Sequence, residues 1–513
     1  MSASLMHRAL EVAAERWPSR PALLADDRAV DFATLNTWST ALAAELSARG
    51  TGPGERVAVM LSNRPEFMVV VGALSKAGAV PVLVSPAWKA LEVGNALRVA
   101  GASRAVADGE GVRVMSGLLG AAAVLDVDSP AFLSALASLP ELAPSPASPE
   151  DDAILVFSSG TVGLPKAVRH THASMGHAVR HWTATLGLGP DDRFQVATPP
   201  SHILGLLNLL AAVQVGATVR LHRRFDLDEL LRRIETERMT LEMAVAPIAL
   251  AMAKHPRLEE HDLSSLRYIM WGATPVTPSV AETVTRRTGV RWLPAYGTSE
   301  VPVVSVNPVH EPDRWRLDSP GLPPEGVQLR VVHLETGEVL PPGETGEIQV
   351  LSPSAMAGYL PDEANASVFS DGWYRTGDVG WLEPEGWVHL TDRSKELIKV
   401  NGFQVAPAEI EGVLLGDPAV VDCAVFGVHD EQAGERPVAA VQLASGTRTT
   451  TEELQELVAT SLASYKQLRE VVVVDAIPRL PSGKALRRTL REHWEPILSP
   501  ASGTAPSTRG SGS

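Results

Sequence analysis

Between residues 56 and 108, short apolar runs at Val57 to Leu61, Val80 to Val84 and Ala105 to Ala107 alternate with longer helical patterns such as Pro65 to Ala77. That rhythm predicts strand–helix–strand units and a largely parallel sheet. It resumes at Ile154 to Phe157, Thr218 to Leu221, Leu241 to Val245 and Tyr268 to Trp271. After about residue 325 the runs shorten and are punctuated by Gly and Pro, at Val327 to His333, Gly346 to Leu351 and Gly386 to Leu390, which predicts an antiparallel subdomain. From about Lys395 onward, strands at Val420 to Val425 and Val471 to Val474 and a helix at Thr451 to Ser464 read as a small α+β domain. Ser499 to Ser513 is almost wholly Ser, Gly, Pro, Thr and Ala, too poor in apolar surface to offset its ordering entropy.

At 513 residues the chain exceeds one ordinary core, so two or three packed units are expected. A net charge of −15 argues against broad binding to nucleic acid or anionic membranes, both of which need a basic surface. An anionic ligand must then meet a local basic cluster. The single cysteine, Cys423, excludes an intrachain disulfide and a Cys-rich zinc site, and it lies in an apolar run that predicts a buried strand. Met1 to Arg8 lacks the basic start and apolar core of a secretory signal, so a cytoplasmic protein is expected. Ile203 to Val219 carries no charge, but Asn208, Gln214 and two glycines interrupt it, and it reads as a buried helix leading into a strand rather than a membrane span.

One stretch is built for a polyphosphate. Ser158-Ser159-Gly160-Thr161-Val162-Gly163-Leu164-Pro165-Lys166 follows the apolar strand ending at Phe157. Hydroxyls and glycine N–H groups can donate to phosphate oxygens at close approach, and Lys166 adds positive charge. It is not a Walker A loop, because Pro165 stands before the lysine where that motif has Gly. Four more stretches follow: Ala295 to Glu300, Tyr374 to Asp378, Thr391 to Glu411, and Pro481 to Lys484.

In this order and at these separations the set resembles the adenylate-forming superfamily of acyl-CoA synthetases, free-standing adenylation domains and beetle luciferases, nearest to its 4-coumarate–CoA ligase branch. The resemblance runs from about residue 10 to residue 490. It implies an α/β fold: a large N-terminal adenylate-forming domain over 1–394, made of parallel αβ subdomains plus a small antiparallel β subdomain. A small mobile α+β domain over 395–495 and a disordered tail over 496–513 would follow, with the active site in the cleft between the domains.

The resemblance also implies roles. Ser158, Ser159, Gly160, Thr161, Gly163 and Lys166 would hold the ATP phosphates, and Tyr296 would stack on adenine. Ala273, Ala295, Gly297, Thr298, Ser299 and Gln404 would complete the nucleotide pocket. Thr161 and Glu300 would bind Mg2+, for which a hard oxygen ligand is suited. Asp378 and Arg393 would bind the ribose hydroxyls. Lys484 would bridge carboxylate and α-phosphate in adenylation, relieving repulsion where charge develops. Lys395 would be the hinge. Rotation about it would withdraw Lys484 and present Lys399, Asn401, Gly402 and Gln404 to coenzyme A, with Gly402 leaving room for the thiol arm.

The acid pocket would begin at Pro199-Pro200-Ser201-His202-Ile203-Leu204-Gly205, with His202 as the gate beside the carboxylate. Ile203, Leu204, Trp271, Ala273, Val301, Pro302 and Val303 would form the wall. Leu204 stands where hydroxycinnamate ligases usually carry a Tyr, which argues against 4-coumarate itself. Amino-acid-activating relatives carry an Asp near this segment, and Ile203 to Val219 has none. The expected substrate is therefore a hydrophobic acid that is aryl, alicyclic, terpenoid or medium-chain, activated with ATP and passed to coenzyme A. Asn401 replaces the Lys of many relatives near coenzyme A, Ser299 replaces a commoner Thr, and Ala167 a commoner Gly. A carrier-protein phosphopantetheine stays open as the alternative acceptor, a luciferase-type oxygenase shares the first half-reaction, and a homodimer is allowed. The retained Lys484, Glu300, Asp378 and Lys166 argue against a catalytically dead nucleotide-binding protein.

Overall fold

The computed structural model describes residues 5–138, 143, 145–158, 166–274, 276–393, 396–400, 403–430, 433–480 and 483–498. The chain divides into two compact units, one of residues 1–376 with 380–390, the other of residues 377–379 with 391–513.

The first unit is built on three sheets with helices and a fourth that is largely antiparallel. Its seven-stranded sheet runs in the order Gly358–Leu360, Lys166–Thr171, Asp152–Ser158, Val80–Leu83, Arg56–Met60, Arg104–Ala107, Val124–Asp126. The last five are mutually parallel and the first two antiparallel. Helices cover these strands, and the helix Pro65–Lys76 is buried along its whole length. A strand buried on both faces has no solvent side, which is why Ala58, Val59, Val82, Leu155 and Val156 read as continuous apolar runs.

A second sheet has the order Arg28–Asp31, Pro21–Ala25, Thr218–Leu221, Arg193–Val196. A third places Leu241–Ala244, Tyr268–Trp271 and Trp292–Tyr296 parallel, with Ser305–Val306 antiparallel at one edge. The five-stranded fourth sheet holds the shorter Gly- and Pro-punctuated strands, with Gln328–Val332 antiparallel to Gly346–Leu351 and Phe369–Ser370 antiparallel to Trp373–Leu382. The uncharged segment folds as the helix Ile203–Val215, stopped by the left-handed Gly216, and then the strand Thr218–Leu221. At 1.5 Å per residue this 13-residue helix is about 20 Å long. No helix among the described residues is long and apolar enough to cross a membrane.

The second unit packs helices Pro407–Leu414 and Thr451–Ser461 on a mixed sheet ordered Phe403–Val405, Ile398–Val400, Gly434–Leu443, Val420–Asp430, with Glu470–Val473 parallel to Gly434–Leu443. Cys423 is buried in its strand. Burial pushes its thiol pKa well up, which suits an inert core residue.

Element ends differ from the sequence expectation for local reasons. The strand expected from Gly386 begins at Val388, because Gly386 closes a turn with its N–H on the Glu383 carbonyl at φ +90°. The helix expected to reach Ser464 ends at Ser461, and Ser464–Lys466 forms a separate 3-10 turn. The strand from Val420 continues to Asp430, carried by its long hairpin with Gly434–Leu443. The tail expected from residue 496 starts inside a helix, Arg487–Leu498, which tolerates Pro496 near its end. Residues 499–513 lie outside the described residues.

Candidate active site

Ser159, Gly160, Thr161 and Gly163, expected to hold the ATP phosphates, lie outside the described residues, but the positions on either side of 159–165 are placed. Ser158 and Lys166, which flank them, are directly paired in an antiparallel register. The Lys166 ammonium stands 5.2 Å over the ring of Tyr359, on the neighbouring strand. The buried Tyr359 hydroxyl donates to Glu300 Oε1 at 2.5 Å. Tyr359 thus joins Lys166 and Glu300, two residues that the sequence placed in one site without showing what connects them. No sequence signal marked it, since a tyrosine in a short apolar run looks like core. Beside this group, the buried His170 donates Nε2–H to the Ser299 carbonyl at 2.8 Å, and burial holds its pKa below the ordinary value. It is a neutral brace for the segment that carries Glu300.

That segment follows the carboxyl end of a parallel strand, where open α/β sheets bind ligands. Ala295 and Tyr296 end the strand Trp292–Tyr296, and Tyr296 is packed in the main core. The chain then turns tightly. Thr298 N–H donates to the Val301 carbonyl at 3.0 Å, and Val301 N–H to Thr298 Oγ1 at 3.0 Å. A Cβ at Gly297 would fall 2.1 Å from the Pro302 carbonyl oxygen, so only glycine fits there. Ala273 follows the carboxyl end of Tyr268–Trp271 and adopts a left-handed φ of +67°, rare for a residue with a side chain.

At the segment expected to begin the acid pocket, His202 caps the apolar helix Ile203–Val215 through its backbone alone. Its Nε2 is buried with no hydrogen-bond partner among the described residues, and burial lowers its pKa, so the ring is neutral. The loop before it is clamped: Gly205 packs so closely that a Cβ would lie 2.6 Å from the Pro199 oxygen. Asn63 Nδ2 donates to the Val196 and Thr198 carbonyls at 3.2 and 3.1 Å. Ile203 and Leu204 are half-buried, and Leu204 packs against two core clusters. The other expected wall residues are more deeply placed. Trp271 is wholly buried against Trp292, with its indole N–H on Thr274, and Val301, Pro302 and Val303 are buried.

In the second unit, Lys399 is exposed and lies opposite Gln404, whose side chain is outside the description. Asn401 and Gly402, which follow Val400 in sequence, and the expected hinge Lys395 lie outside the described residues. Asp378 is buried in the strand Trp373–Leu382, and Arg393 ends the strand Val388–Arg393 with its side chain outside the description. Lys484 sits in a small hairpin: Leu480 N–H donates to its carbonyl at 2.8 Å, and Gly483 before it is left-handed at φ +85°. Arg479 braces the hairpin, donating to the Gly483 carbonyl at 2.7 Å and to Asp422 at 2.6 and 2.8 Å.

A separate cluster of metal-type ligands, Asp228, His255 and His261, lies elsewhere in the first unit. There the Arg257 N–H donates to His255 Nδ1, which leaves Nε2–H to donate to Asp228, so the tautomer opposes a metal on Nε2.

Residues 10–360 match the AMP-binding enzyme family, and residues 409–484 match the AMP-binding enzyme C-terminal domain. The chain is 35% identical to 4-coumarate–CoA ligase 5 of Oryza sativa subsp. japonica over 90% of its length and 89% of the relative's. Among solved structures, ATP-bound MatB from Rhodopseudomonas palustris superposes with a TM-score of 0.88 at 26% identity, over 96% of this chain and 99% of that one. The o-succinylbenzoate CoA synthetase of Bacillus subtilis, in complex with its acyl-adenylate, gives 0.83 at 30% identity, over 94% and 97%. The chain belongs to the AMP-binding enzyme family and is an AMP-forming acid–thiol ligase of the acyl-CoA synthetase kind.

Proposed function

We propose that the acid is hydrophobic, of aryl, alicyclic, terpenoid or medium-chain type, and that His202 stands beside its carboxylate. The observation that carries this reading is the helix Ile203–Val215, which has no charged residue and no described ionic partner for a substrate ammonium. In the first half-reaction a carboxylate oxygen attacks the α-phosphorus of ATP, the bond to the β-phosphate oxygen breaks, and pyrophosphate leaves. Lys166 and the 159–165 loop hold the phosphates, and Lys484 neutralises the charge that gathers at the α-phosphate. In the second, the coenzyme A sulfur attacks the acyl carbon, AMP leaves with the bonding pair, and the thiol proton passes to solvent. Neutral His202 adds no competing positive charge beside the carboxylate, so the acid meets a dipole rather than an ion pair.

Magnesium fits the carboxylate side. Glu300 offers hard oxygen ligands, and Tyr359 fixes their position from one side. Magnesium would supply charge neutralisation on the triphosphate. Asp378 and Arg393 would hold the ribose.

A screen of pyrophosphate release across acids, with and without coenzyme A, tests the reading. Hydrophobic acids should exceed α-amino acids in kcat/KM by 10²-fold or more, since burying an unpaired ammonium costs several kcal/mol. An amino acid as best substrate sinks it. Acyl transfer to a holo carrier protein but not to coenzyme A would favour the alternative acceptor, to which Asn401 in place of a basic residue lends support.

A further inference from the structure

We propose that Tyr359 is a positioning residue for nucleotide activation: one side chain holds the carboxylate of Glu300 by its hydroxyl and the ammonium of Lys166 by its ring. This rests on the reading of Glu300 and Lys166 as the metal and phosphate contacts. The three residues come from segments far apart in sequence and meet because the strand Gly358–Leu360 pairs with Lys166–Thr171, Tyr359 opposite Val168. The hydroxyl-to-carboxylate distance of 2.5 Å lies in the range of charge-assisted O–H···O⁻ bonds. The lysine nitrogen at 5.2 Å from the ring centroid is within cation–π reach.

The arrangement solves a particular problem. An ammonium and a carboxylate this close to a common side chain would, if free to swing, pair with each other, and each would then be less available to its ligand. The phenol separates them. Its ring face holds the cation and its hydroxyl holds the anion, and among the described residues no ion pair joins Lys166 to Glu300. The tyrosine is itself fixed before any nucleotide arrives. Its N–H donates to Asn365 Oδ1 at 2.7 Å, and Asn365 Nδ2 donates back to its carbonyl at 3.0 Å. The backbone of the same segment holds Glu300 too, since Met356 N–H donates to the Glu300 carbonyl at 2.8 Å. With Oε1 occupied by the hydrogen bond it accepts from Tyr359, Oε2 is the oxygen left to face a cation.

Calorimetric titration of the full chain with ATP, with and without magnesium, separates the two functions of the side chain. Tyr359→Phe deletes only the hydroxyl and should weaken magnesium–ATP binding about tenfold, the usual scale of one lost charged hydrogen bond, with magnesium-free ATP binding unchanged. Tyr359→Leu also removes the ring and should weaken magnesium-free binding several-fold. In a Glu300→Gln background, Tyr359→Phe should have little further effect, because the bond it breaks is already altered. Wild-type magnesium–ATP affinity in Tyr359→Phe, or losses that simply add to those of Glu300→Gln, would overturn the proposal. Equal loss with and without magnesium, as general misfolding would give, also counts against it. If Glu300→Gln and Lys166→Ala themselves leave ATP binding intact, the underlying reading of the site fails. If they weaken it and Tyr359→Phe does not, only the role of Tyr359 fails.

Discussion

Glu242 is wholly buried in the strand Leu241–Ala244, and its Oε2 accepts from Gln195 Nε2 at 2.9 Å while Gln195 Oε1 faces His222 Nε2 at 2.6 Å. Burial is the dominant cause that pushes its pKa from the ordinary 4.5 up to about 8, so the folded protein holds a neutral carboxylic acid at neutral pH. The sign of the consequence follows from proton counting. Between 4.5 and 8 the folded state keeps a proton that the unfolded chain has released, so this group's contribution is complete below 4.5 and is lost as pH rises to 8. At 1.36 kcal/mol per pH unit, about 3 kcal/mol has gone by pH 7 and about 5 kcal/mol by pH 8. Glu242→Gln keeps the shape and an acceptor for Gln195 but cannot ionise. Its melting temperature, followed by scanning fluorimetry from pH 5 to 9, should be near wild type at pH 5 and rise increasingly above it up to pH 8. The gap should then level off. A gap that does not change with pH, or a variant less stable throughout, would refute the burial argument. Adenylation should be little affected, because Glu242, Gln195 and His222 are not among the residues read as the nucleotide or acid site.

Lys484→Ala should slow acyl-adenylate formation about 10²–10³-fold by removing a preorganised charge, while leaving transfer from supplied acyl-adenylate to coenzyme A nearly intact, as single-turnover assays of each step would show. Gly402→Leu should do the reverse by filling the path of the thiol, and equal loss of both steps in both folded variants would refute the division of roles. Gly297→Ala places a methyl 2.1 Å from the Pro302 carbonyl oxygen and should destabilise the first unit by about 3 kcal/mol or more, read as a lowered urea midpoint. His7, His172 and His181 are buried and held neutral, with pKa values lowered by burial from 6.5 to about 4. Their contribution is complete above 6.5 and is lost as pH falls toward 4, so wild-type melting temperature should drop steeply on that limb.

What the sequence made legible was what is local or periodic. Thr218–Leu221, Tyr268–Trp271 and Gly346–Leu351 were readable to the residue because burial on both faces or a flanking glycine marks their ends. The helix Ile203–Val215 was readable because an uncharged stretch interrupted by Asn208, Gln214 and two glycines suits a buried helix better than a membrane span, and Gly216 stops it. Glu300 and Lys166 were readable as types, a carboxylate and an ammonium within motifs, but motifs say nothing of what lies across the fold. Tyr359 is 59 positions from Glu300, and its hydroxyl becomes meaningful only when the strand order sets Gly358–Leu360 beside Lys166–Thr171. Glu242 was hidden for the opposite reason. In the run Leu241 to Val245 it is a lone carboxylate that the pattern does not explain, and in the strand Leu241–Ala244 it is left no solvent. Both omissions share one cause: the sequence displays the charge a side chain can carry, whereas its protonation state and its partner are properties of the three-dimensional neighbourhood. A buried acid in a strand and a tyrosine in an apolar run are the positions where that difference is largest, so they are where the sequence-only reading of this ligase was weakest and where the structure adds most to its chemistry.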